Sequence, residues 1–173
     1  MRKALFIALL VSAAAPVSGV LGQQTPPQTC DLPEHRQFDF WVGQWVVTNA
    51  AGQPAGESMV SGILGGCAVF EEWSGGTVGK SLNFYDRADG RWHQTWIGSD
   101  GQALYLGGGL DADGRMVLEQ KGDERHDRIT WTRNADGTVG QLWELSTDGG
   151  TTWSVLFDGT YRRKTQEEID RNS

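Results

Sequence analysis

The chain is poor in the side chains that metal and nucleophilic chemistry usually draws on. It has three histidines, His35, His93 and His126, scattered too widely to form a ligand pair, and two cysteines, Cys30 and Cys67, with no C-x-x-C spacing. Each histidine is expected to face solvent or satisfy a local bond. No G-x-S-x-G, P-loop or H-E-x-x-H motif occurs, and Asp111-Ala112-Asp113-Gly114 fails the twelve-residue spacing of a calcium loop. No metal and no cofactor is therefore expected. No segment keeps a convincing helical period, unless it is the turn before Phe38. The one extended apolar run, Ala4 to Ala15, is shorter than the roughly 20 residues a bilayer span needs. Basic residues are outnumbered, 15 against 22 acidic, for a formal net charge of −7. The acidic charge is spread along the chain, which suits a solubilising surface and argues against nucleic acid or anionic membrane as a partner.

Arg2 and Lys3 precede that apolar run, and Pro16 and small residues through Gly22 follow it. This is the layout of a secretory signal peptide over residues 1–22, with cleavage after Gly22, Ser18 or Gly19, and it implies export to the periplasm or beyond. Cys30 follows Pro27, Gln28 and Thr29, a poor lipidation site. In an oxidising compartment nothing else claims either thiol, so a Cys30–Cys67 disulfide is expected to staple the N-terminal segment to an early strand. Residues 23–36, proline-rich and polar, read as an extended lead-in, 37–163 as one domain, and 164–173 as a flexible tail, frayed or briefly helical.

What the chain has in quantity is glycine, 24 residues, much of it in Asp-Gly pairs: Asp89-Gly90, Asp100-Gly101, Asp113-Gly114, Asp136-Gly137, Asp148-Gly149 and Asp158-Gly159. Asp-Gly suits tight hairpin turns, because glycine takes positive φ freely and aspartate tolerates it. Between the turns, residues alternate with the strand period of two. The pattern predicts ten strands, about 40–48, 57–64, 67–73, 79–86, 91–98, 103–110, 115–121, 126–134, 138–146 and 152–163. Ten sequential antiparallel strands either close or leave two long edges. Closure predicts an all-β, up-and-down antiparallel barrel over a two-sheet sandwich.

Several stretches carry resemblances. Ser146-Thr147-Asp148-Gly149-Gly150-Thr151-Thr152-Trp153 resembles the Asp-box of sialidases and related propellers. Here it occurs once, in a chain far too short for a propeller, so it is read as a hairpin. Asp148 should accept from turn amides, the two glycines should supply the bend, and Trp153 should pack beneath. Gly43-Gln44-Trp45 resembles the G-x-W of lipocalins and other calycins. In those families an arginine of the last strand covers the tryptophan; Arg163, on the face parity of Tyr161, Phe157, Val155 and Trp153, is expected to do so here in preference to Arg162. The runs FDFWVGQW, ILGGCAVFEEW, NFYDRADGRWHQTWIGSDG and QLWELSTDGGTTW look like a family of exported bacterial proteins of uncharacterised function. That likeness implies a lipocalin-like or nitrobindin-like barrel and no particular activity. Nitrobindin-like barrels bind haem, but their G-x-W-x-G-x-G run is absent, since Val46, Val47 and Thr48 follow Trp45.

Alternation also sorts the strands into faces. Trp92, Gln94 and Trp96 share one face, with His93 on the other. Gln141, Trp143 and Leu145 share one, Ile129 and Trp131 another, and Ser81, Asn83 and Tyr85 another. Rings supply area and amides fix orientation, so Asn83, Tyr85, Trp92, Gln94, Trp96, Trp131, Gln141 and Trp143 are the candidate ligand-binding residues for a small apolar or aromatic molecule. The competing readings are an isomerase- or cyclase-like enzyme acting on such a molecule and a solid barrel whose loops bind an envelope partner. Glu71 and Glu72, being adjacent, face opposite sides, so one of them can lie inside. Glu72 or Glu119 would need burial or a partner to serve as a general acid or base. A cavity above about 300 Å³ separates the first two readings from the third.

Overall fold

The computed structural model describes residues 30–122 and 124–171. The expected signal peptide and residues 23–29 of the lead-in lie outside them. Ten strands follow in order: β1 (Gly43–Asn49), β2 (Pro54–Ile63), β3 (Ala68–Gly75), β4 (Val78–Asp86), β5 (Arg91–Gly98), β6 (Ala103–Leu110), β7 (Met116–Gln120), β8 (His126–Arg133), β9 (Val139–Ser146) and β10 (Ser154–Arg163). Each pairs antiparallel with its sequence neighbours, and β1 pairs with β10, so the sheet closes into an up-and-down barrel without a free edge. Among the described residues no helix is long and apolar enough to cross a membrane.

The Asp-Gly pairs mark the hairpins where expected, with positive φ at Gly90, Gly101, Gly114, Gly137 and Gly149. Asp158-Gly159 departs from that reading. It runs through β10, where Gly159 leaves space for the Phe157 ring.

The two ends of the barrel differ. At one end, two 3-10 turns, Pro33–Arg36 and Asp39–Trp41, enter the bore. Strand character was expected from residue 40; instead the strand begins at Gly43. The turn places Phe38 and Trp41, three residues apart, on the same side, as 3-10 geometry requires. Phe38 stacks on Trp41 at 5.0 Å and meets Trp131 and Trp92 edge-on at 5.1 and 5.6 Å. All four rings are buried, and Trp45 joins them, donating its indole N–H to Trp41 O at 2.9 Å. This aromatic cluster is the core and seals that end.

The expected closure device is present. Trp45 lies opposite Arg163 in the β1–β10 register, with the guanidinium carbon 4.4 Å from the ring centroid. A Cβ at Gly43 would overlap the same guanidinium, which is the steric reason for glycine two residues before the tryptophan. The Cys30–Cys67 disulfide is formed and ties the entering segment to the start of β3. After β10 the chain makes a short helix, α1 (Gln166–Asp170), within the segment read as a flexible tail. Thr165 and Glu168 form its capping box, and Glu168 pairs with Arg162 at 2.9 Å.

Candidate functional site

The opposite end is open. The β3–β4 and β5–β6 connections contribute Gly76, Thr77, Asp100 and Gln102 to its mouth, and below them lies a cavity of about 340 Å³. Trp73 on β3, Trp96 on β5, Trp143 on β9 and Phe157 and Tyr161 on β10 supply rings to its wall. Glycine opposite a ring lets it lie flat on the sheet. Trp96 rests across Gly79 of the neighbouring strand, where any Cβ would overlap it. Trp73 meets Phe157 edge-on at 5.9 Å and tilts towards Tyr161 at 6.3 Å, forming one continuous wall.

The floor is polar and ordered. Glu71 is 4 % exposed and accepts from Ser58 Oγ at 2.9 Å and Ser81 Oγ at 3.0 Å, one hydroxyl to each carboxylate oxygen. The donors form a relay. Gln94 Nε2 donates to Asn83 Oδ1 at 2.7 Å, and Asn83 Nδ2 donates to Ser81 Oγ at 3.0 Å. Burial pushes the Glu71 carboxyl up to about 7, against the opposing pull of the two serine bonds. Tyr161 donates its hydroxyl to Gln141 Oε1. Burial first, and the Glu71 carboxyl second, push that phenol well above its ordinary range, so it remains a donor. Trp143 Nε1 donates to Asp127 Oδ1 at 2.9 Å, and Asp127 also holds Arg125.

The eight candidate binding residues divide by depth. Gln94, Trp96, Gln141 and Trp143 line the cavity. Asn83 lies one layer behind, positioning Gln94 and Ser81. Trp92 and Trp131 belong to the sealed end, and Tyr85 sits beside Trp92 there, against His35. The cavity carboxylate is Glu71. Glu72 pairs with Lys80 on the outer surface, and Glu119 pairs with Lys121 at 3.1 Å and lies 3.5 Å from His126. Glu71 carried a readable signal, since it alternates with Val69 and Trp73 on the inward face.

Two further expectations need correction. On β10 the register slips between Val155 and Phe157, so the strand reverses its faces at Leu156. Val155 is therefore exposed rather than sharing the inward face of Phe157 and Tyr161. Trp153 lies on the outer surface, edge-on to His126 at 4.8 Å and beneath the Arg128 guanidinium at 3.8 Å. His93 points outward and pairs with Asp89 at 2.9 Å, and His126 is buried with Glu119 at 3.5 Å as its local partner; His35, by contrast, is buried with no hydrogen-bond partner for its Nδ1 among the described residues.

The Asp-box hairpin is built as its chemistry dictates. Asp148 accepts from the amides of Thr151 and Thr152 at 3.0 and 2.8 Å and from the Ser146 and Thr152 hydroxyls at 2.8 and 2.7 Å. These bonds, led by those from Thr152, hold its carboxyl down to about 2. All of these Asp148 bonds are made within the turn. Compared with known proteins, the chain matches no family and no curated protein.

Proposed function

We propose that the barrel binds a small, largely apolar or aromatic organic molecule through its open end. The observation that supports this reading best is the cavity of about 340 Å³, walled by rings and floored by hydrogen-bonding groups already held in place. That volume is in the range of small-molecule sites, and a filled bore would leave no such space. Polar groups fixed in advance lower the ordering cost of binding. A second reading rests on one observation. Glu71, titrating near 7 at the cavity floor, suits proton exchange with a bound molecule, as an isomerase or cyclase would need.

Native mass spectrometry of protein purified from its own host tests the binding reading. The expected result is an adduct that disappears on unfolding and is lost in Trp96→Ala and Trp143→Ala. A bare polypeptide mass that stays bare after exposure to host metabolite extract overturns it. We also infer export, from the N-terminal charge and apolar run together with the disulfide. Intact mass of the host protein should show an oxidised chain lacking about the first 22 residues; a full-length reduced chain contradicts export.

A further inference from the structure

We propose that the molecule taken by this cavity is an organic cation, an aromatic or alkyl ammonium, seated with its charge against Glu71 and its body among the rings of Trp73, Trp96, Trp143 and Tyr161. This rests on the binding reading above and narrows it. Three independent observations converge on a positive charge.

First, Glu71 is a buried carboxyl whose hydrogen-bond partners are two neutral hydroxyls. An ionised carboxylate has about four lone-pair sites, and the serines use one on each oxygen. The relay from Gln94 through Asn83 and Ser81 also runs donor-first towards Glu71, so the network is oriented to support negative charge there. Second, among the described residues no lysine, arginine or histidine lines the cavity, and the other ionisable groups in its wall are Asp100 near the mouth and Tyr161. Arg125, on the connection from β7 to β8 at the same end, is committed to Asp127 at 2.6 Å. The carboxyl thus lacks the counter-ion that a buried charge ordinarily has. Third, Trp73, Trp96, Trp143, Phe157 and Tyr161 line the wall, and indole and phenol rings attract cations within about 6 Å of their faces. An anionic ligand would meet repulsion from Glu71 and Asp100. A neutral one would leave the ionised carboxyl without a counter-ion.

The groups facing Glu71 are Ser58 from β2, Ser81 from β4 and Tyr161 from β10, whose phenol stays protonated. Glu71 is therefore the group whose charge changes near neutrality, and cation affinity should rise with its ionisation.

Isothermal titration of the oxidised protein with three indoles of similar size separates the possibilities: tryptamine, charged throughout this range, its isosteric neutral alcohol tryptophol, and the anion indole-3-acetate. At pH 8 tryptamine should bind at least tenfold more tightly than tryptophol, and indole-3-acetate more weakly than either. The tryptamine preference should shrink several-fold at pH 6. Glu71→Gln keeps the shape of the side chain, with the bond to one serine reversed at the amide nitrogen, and should abolish the preference for tryptamine over tryptophol. Equal binding of amine and alcohol, or a preference that survives Glu71→Gln, overturns the cation assignment and leaves the cavity reading standing. Binding of none of the three overturns both. Should Glu71→Gln not fold, the wild-type comparison decides: tryptamine affinity that does not change between pH 6 and pH 8 refutes the assignment.

Discussion

Glu71 shows how one residue sets a property of the whole domain. Its carboxyl ionises near 4.5 in an unfolded chain and near 7 in the folded one. Between those values the unfolded state has lost a proton that the native state keeps, so stability falls as pH rises. The total fall is roughly 3 kcal/mol, and it levels off above pH 7. Asp148 and Glu168, both held down to about 2, act in the opposite sense and in another window. Their contribution is complete above pH 5 and is lost only as the medium becomes strongly acidic. Urea unfolding should therefore show a midpoint that declines from pH 5 to pH 7.5 in the wild type and is nearly flat in Glu71→Gln. At the sealed end, Trp45→Ala should cost about 3–5 kcal/mol, as deletion of a buried ring does. Arg163→Ala should cost about 0.5–2 kcal/mol. The double variant should lose less than the sum, because the two share one contact. Additive losses in equilibrium unfolding would deny that contact any energetic role.

At the scale of elements, the N-terminal segment is held by side chains and by one covalent bond rather than by sheet pairing. Its disulfide closes a loop across a separation of 37 residues, which constrains the unfolded chain by about 4 kcal/mol in the chain-entropy account. Reduction, or the double change Cys30→Ala and Cys67→Ala, should lower the urea midpoint accordingly and expose the amides of residues 33–41 to exchange before those of the strands. Unchanged exchange in that segment would show that Phe38 and Trp41 hold it without the bond. These elements also show what a sequence reveals. The strands were legible because period-two alternation is local and Asp-Gly marks their ends. The 3-10 turn at Asp39–Trp41 was not, because Asp-Phe-Trp is equally compatible with a strand, and only the shape of the bore selects the turn. The β10 slip at Leu156 was invisible for a similar reason: a bulge is defined by the partner strand.

At the scale of the whole molecule, the barrel divides its labour between its ends. The sealed end stores packing energy, and the open end leaves rings facing space. Half of the candidate site was accordingly legible, since alternation identifies an inward residue but not its depth. Gln94 and Trp92 point the same way, yet one lines the cavity and the other is packed in the core. Trp92→Ala should cost about 3–5 kcal/mol. Trp96→Ala, whose ring borders a cavity, should cost less than about 2 kcal/mol while removing ligand uptake. Equal losses in thermal unfolding would mean that the two ends are packed alike.

The same division has an optical consequence. The eight tryptophans fall into three settings: Trp41, Trp45, Trp92 and Trp131 in the buried core, Trp73, Trp96 and Trp143 around the mouth, and Trp153 on the outer wall. Emission from the first group should be blue-shifted and inaccessible to a dissolved quencher until the barrel melts. The second should respond to an occupant at once, and Trp153, packed on the outer wall against His126 and Arg128, should not. One emission spectrum therefore carries separate signals of intactness and occupancy, so the protein can be assayed without a dye or tag.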